Sequence, residues 1–309
     1  MVDCPNNQAE ISLNLEIVMN LKTILAYLWK LPLCGFGFFM GVALSGMILP
    51  MLGLQAPEMP EGVDANTIML WYLLGSMLLA LALSFLSRNL PVHGLLRWII
   101  LFELSWVFGA LGVVIEASFF MTTGAVSSSM NALFTVLNFL LPAIFLSALV
   151  VVLFRPLPPV EPCRRSFQSY VASHKKSSWM WRILLALLAY PVIYFAFGLL
   201  VQPFIQDFYA AGQYELTLPT WKELIPLQLT RSALFLVASL PVLVWWRGSR
   251  RKAWLTLGAS IFILTAFMAV ITAYWFPWQL RLFHGLELLA DALVYAGVLT
   301  LLFRASSTK

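Results

Sequence analysis

The chain has 309 residues, of which 61% are hydrophobic and 11% charged, with a formal net charge of +5. A soluble domain carries roughly a quarter charged residues, so a soluble core of this length is excluded. The basic residues are divided among short segments between apolar stretches, which points to anionic headgroups and membrane topology rather than to nucleic acid.

A stretch of about 20 apolar residues is needed to cross the hydrocarbon of a bilayer. Eight stretches meet that need: 32–52, 67–86, 98–119, 131–154, 183–205, 224–246, 253–275 and 282–303. The fold class is therefore read as all-α, a polytopic membrane protein of eight transmembrane helices. The N-terminal "MVDCPNNQAEISLNLE" is acidic and has no basic segment ahead of an apolar one, so it is not a signal peptide. Residues 11–28 are amphipathic and are expected to lie along the membrane surface before the first span.

Along the chain, "GVALSG" (Gly41 to Gly46) in the first span reads as close helix packing. The third span carries Glu103, expected to reach towards Arg97 or Arg88, and Glu116, expected at the opposite interface. The segment 155–182 is the long polar connection, with four spans on each side. It divides the chain into an N-terminal tail (1–31), a first membrane unit (32–154), a basic linker (155–182), a second membrane unit (183–304) and a short tail (305–309). Residues 138–155 set beside 287–304 share Leu, Ala and a closing Leu-Phe-Arg, and Pro50 matches Pro203 near one end of the first and fifth spans. This predicts two four-helix repeats, which are parallel because each has an even number of spans. In the fifth span Tyr190, Tyr194 and Gly198 share one face, a pattern that reads as packing. The "YWFPW" at 274–278 reads as an interfacial aromatic belt.

Sixteen of the 19 Lys and Arg residues fall in one set of alternating segments. The other set holds only Lys222 and Arg281, together with Glu58, Glu61, Asp64, Asp207, Glu215 and Glu223; Arg231 lies inside a span. The bias predicts cytoplasmic termini and a multi-pass protein of the cell membrane. Cys4, Cys34 and Cys163 have no CxxC spacing and read as free thiols.

The chemistry-bearing stretch is "RLFHGLELLADALVYAGVLTLLFR", whose first half carries His284, Glu287 and Asp291. At 100° per residue these three fall within about 60° on one face. A lone charge at the bilayer centre costs about 2.5–3.5 kcal/mol on insertion scales. The sixth span descends from the same side with Gln228 and Arg231, and Gln202 stands near that end of the fifth. Arg231 is therefore expected to pair with Glu287 or Asp291. The candidate ligand- or ion-binding set is Arg231, His284, Glu287, Asp291, Gln228 and Gln202, between the fifth, sixth and eighth spans.

There is no Walker A loop and no HExxH, and no second histidine lies at the depth of His284, so the sequence designates no catalytic residue and no metal site and leaves the cofactor unknown. The expected partners are the lipid bilayer and a small molecule or ion. Three readings remain: a permease, a membrane-embedded enzyme on an amphipathic substrate with His284 as acid/base, and a non-catalytic scaffold, sensor or complex subunit.

Overall fold

The computed structural model describes residues 7–57, 63–121, 128–156, 167–210, 214 and 216–304, with side chains of the first helix described from Lys22 onward. Among the described residues eight helices are long and apolar enough to cross a membrane, which fits an integral membrane protein. They are α1 (Asn7–Met51), α2 (Ala65–Asn89), α3 (Gly94–Phe120), α4 (Ser129–Leu153), α5 (Lys176–Ala210), α6 (Trp221–Trp245), α7 (Arg250–Thr272) and α8 (Trp278–Phe303). A short helix, Phe167–Ala172, precedes α5. Glu58, Glu61, Cys4, Cys163, Arg164, Arg165, Glu215 and Lys309 lie outside the described residues.

Local chemistry sets where several helices begin. Asp64 caps α2 by accepting from the Asn66 and Thr67 N–H groups at 3.2 and 2.9 Å. The Thr67 hydroxyl bond first, then these backbone bonds, holds the exposed Asp64 carboxyl below its ordinary range. Ser128 and Ser249 cap α4 and α7 in the same way, and Glu223 reaches back to the Thr220 N–H at the start of α6. Residues 11–28 do not form a separate surface segment, because one helix runs unbroken from Asn7 through the first span. Inside α4, Pro142 has no N–H to donate to the Asn138 carbonyl, and the helix is interrupted at Phe139.

The helices share two ends. At the basic end, Ser87 donates to the Phe154 carbonyl, Lys30 to the Leu153 carbonyl and the Arg247 N–H to Asn89. At the opposite end, the Thr217 N–H bonds Phe120 and the Asp64 N–H donates to the Tyr274 hydroxyl at 2.7 Å. The aromatic belt is thus also a tether between α2 and α8.

Packing repeats between the halves. α1 packs on α2 and α4, and α3 on α4; correspondingly, α5 packs on α6 and α8, and α7 on α8. Across the halves α2 meets α7 and α3 meets α6. Helices α2 and α6 are both 25 residues long. Helices α3 and α7 each run 13 residues before a five-residue π-turn, Val107–Leu111 and Ile263–Phe267. These two π-turns touch near the centre.

Two glycines of the first span behave differently. A Cβ on Gly41 would stand 2.5 Å from the Pro142 nitrogen, so α1 and α4 are in backbone contact there. Gly46 has nothing within 4 Å among the described residues, which do not give it the expected packing role.

Candidate functional site

The buried Arg231 guanidinium is the centre of the polar cluster. It is 1% exposed, and its Nη2 lies 2.7 Å from Glu116 Oε2. The expectation of Glu287 or Asp291 as its ion-pair partner is therefore corrected: the acid comes from α3. Glu116 was expected at the interface, but its side chain is only 15% exposed. Two features bring it there. Gly112, one turn before it, lets α3 approach α6 so closely that a Cβ would meet the Phe235 ring at 2.7 Å. The long Arg231 side chain also spans the gap to α3, bringing its Nη2 to Glu116 Oε2.

The remaining guanidinium contacts are specific. Arg231 Nη1 donates to Gln228 Oε1 at 3.1 Å, one turn back on α6. The rings of Tyr190, Tyr194 and Phe235 lie 5.5, 6.0 and 5.4 Å from its central carbon. Such cation–π contacts strengthen when desolvated. The Tyr190–Tyr194 face, read from the sequence as packing, is a wall of the cluster.

The α8 stripe holds as expected. His284 Nδ1 and Glu287 Oε2 are 3.1 Å apart, with the imidazole 36% and the carboxylate 6% exposed. Gly198 leaves room for that carboxylate, since a Cβ there would come within 3.2 Å of Glu287 Oε1. Asp291, one turn deeper, is 1% exposed and lies within electrostatic range of Glu287, Glu116, Arg231 and His284. Both of its carboxylate oxygens are buried without a hydrogen-bond partner among the described residues. Gln202 is exposed on α5 and stands apart from these bonds, so the set narrows to Arg231, Gln228, His284, Glu287 and Asp291 and gains Glu116.

Towards the basic end the cluster is closed by aromatic rings. Phe108 stacks on Phe235 at 4.3 Å, and Tyr190 packs edge-on against Phe235 and Tyr295. Below them Ser232 donates to the Ala186 carbonyl. Towards the other end the path runs through Glu287 to the half-exposed His284. The cluster is accordingly one-sided.

No family model, no curated protein and no solved structure matches the chain. The site must be read from its own geometry.

A cavity of about 160 Å³ lies on the neighbouring face of α3, between α1, α2, α3, α4 and α7. Its lining includes Tyr72, Leu79, Thr135, Leu146 and Thr272, along with residues of both π-turns. α2 and α6 start 156 residues apart, as do α3 and α7, while α4 and α8 start 149 apart. Under these offsets Tyr72 falls on Gln228, Leu79 on Phe235, Thr272 on Glu116, Thr135 on His284 and Leu146 on Tyr295. The cavity lining and the charged cluster thus fall on corresponding positions under these offsets. Glu103 lies apart from both: it is half-buried and has no ion-pair partner among the described residues. Arg97, its expected partner, donates instead to the Val151 carbonyl.

Proposed function

We propose that the chain is a permease-type membrane protein that exchanges a proton at Asp291, loaded through His284 and Glu287. The observation that carries this reading is Asp291 itself, a carboxylate 1% exposed with both oxygens lacking a partner among the described residues. A buried carboxylate without a donor or countercharge is costly, and the nearby guanidinium is engaged by Glu116. Three acids then share one guanidinium and one imidazole, so the site favours uptake of positive charge. A metal ion of the calcium type takes six to eight oxygens, whereas a proton needs one. Among the described residues no group of three or more His, Cys, Asp or Glu is arranged to hold a metal. Intramembrane acids in such stripes are suited to proton relays.

Reading the two halves as parallel four-helix units fits the same proposal. The matching π-turns, the equal lengths of α2 and α6 and the similar packing suit two halves that rock about their shared contact, and π-turns are frequent at functional sites. In this reading the first half keeps a cavity for a small uncharged solute where the second half carries charge.

The test combines spectroscopy with reconstitution. Infrared difference spectra between acidic and alkaline samples are expected to carry a protonated-carboxyl band that Asp291→Asn removes. Proteoliposomes containing a pH-sensitive dye, challenged with a panel of small solutes, are expected to respond to at least one solute, and Asp291→Asn to abolish that response. A band unchanged in the variant would sink the proton site.

A second reading, a structural clamp in a scaffold or complex subunit, is favoured by the aromatic rings around Arg231. They join α5 and α6 around a pair that reaches α3, as a fixed joint would. Under it no solute moves the dye, and Asp291→Asn changes only stability.

A further inference from the structure

An open pocket of about 400 Å³ lies at the basic end, away from the charged cluster, between α1, α2 and the end of α4. Its lining includes Lys22, Lys30, Arg88 and Arg155, and among the described residues no carboxylate lines it. The fold holds these cations in place. Lys30 Nζ donates to the Leu153 carbonyl at 2.8 Å and stands 5.2 Å from the Phe154 ring centre. Arg88 Nη1 donates to the Tyr27 hydroxyl at 3.4 Å. Each leaves further N–H groups for another acceptor, because an ammonium has three donors and a guanidinium five. Lys22 and Arg155 are exposed at the rim.

Four cations around one open concavity match a phosphate. The surroundings say which phosphate. Deeper than the cations and on the same side, α1 exposes Leu33 at 41%, three residues beyond Lys30, and α2 exposes Phe85 at 46%, three residues before Arg88. This apolar face lies where acyl chains would run from a headgroup seated between the helices. Basic pockets between membrane helices suit anionic headgroups in this way.

We propose that the pocket binds the phosphate of an anionic phospholipid, with Lys22, Lys30, Arg88 and Arg155 around the headgroup and its chains running past Phe85 and Leu33. A free phosphate ester offers the same charge without the chains.

Native mass spectrometry of the delipidated full-length protein distinguishes these sources. Phosphatidylglycerol is expected to be retained well above phosphatidylcholine. Lys22→Gln and Arg155→Gln, both at exposed positions, are each expected to weaken that retention by about fivefold, the factor that ~1 kcal/mol per basic residue gives. Unchanged thermal melting in these variants attributes the loss to the pocket. Glycerol 3-phosphate at equal concentration is expected not to displace the lipid. Equal retention of the two lipids, unchanged retention in both variants, or full displacement by glycerol 3-phosphate would overturn the proposal.

Discussion

Arg231 and Glu116 sit at 1% and 15% side-chain exposure, 2.7 Å apart, so each is the other's main compensation for leaving water. Removing one partner of a buried pair typically costs about 3–5 kcal/mol, whereas replacing both by apolar groups of similar volume is often near neutral. Arg231→Met alone is expected to lower stability by that amount, measured as thermal unfolding in detergent. Arg231→Met with Glu116→Gln is expected to recover a large part of the loss. Additive losses would mean that the pair is not coupled. The sequence made half of this visible. His284, Glu287 and Asp291 follow a plain helical period, and the structure keeps them on one stripe, with His284 bonded to Glu287. Glu116 was not legible as a partner for a physical reason. The π-turn at Val107–Leu111 precedes it, and one extra residue per turn rotates everything that follows by about 100°. A regular helical wheel therefore aims Glu116 wrongly. Tyr190 and Tyr194 carried the right spacing, but the pattern does not distinguish a wall for a guanidinium from a packing face.

At the level of elements, the structure adds caps and interruptions to the apolar spans. Asp64, Ser128 and Ser249 each stand just before their helices and bond the first-turn N–H groups. The π-turns have no comparable signature, because they depend on how α3 and α7 meet across the halves. Glycine shows the same division. Gly41 and Gly46 look alike in the sequence, yet only Gly41 touches backbone across the helix interface. Gly41→Ala would press its Cβ into Pro142 and Leu141, and backbone cannot step aside as a side chain can. The expected loss is about 1–3 kcal/mol, the usual range for overpacking. Gly46→Ala is expected to be neutral or slightly stabilising, since alanine is the better helix former by about 1 kcal/mol. Parallel thermal melts of the two variants check this, and equal shifts would mean that α1 and α4 do not meet at Gly41.

For the whole molecule, the charge pattern and the packing bear on one question, which end faces the cytoplasm. All eight helices alternate between two ends, and hydrogen bonds tie Asn89, Leu153, Phe154 and Arg247 together at the end where the basic residues gather. Basic residues near helix ends resist translocation, so this end is expected to be cytoplasmic. The same orientation puts the phosphate-binding pocket in the leaflet where anionic lipid is concentrated and leaves His284 facing the other side. Single cysteines in a background without Cys4, Cys34 and Cys163 test it. Lys175→Cys and Lys252→Cys are expected to react with a membrane-impermeant maleimide only after the membrane is opened. Lys222→Cys and Ser129→Cys are expected to react in intact cells. Labelling of Lys175→Cys and Lys222→Cys from the same side would contradict the eight-crossing arrangement itself. Labelling with the sides exchanged would keep the arrangement but reverse its orientation, and proton loading through His284 would then begin from the cytoplasm.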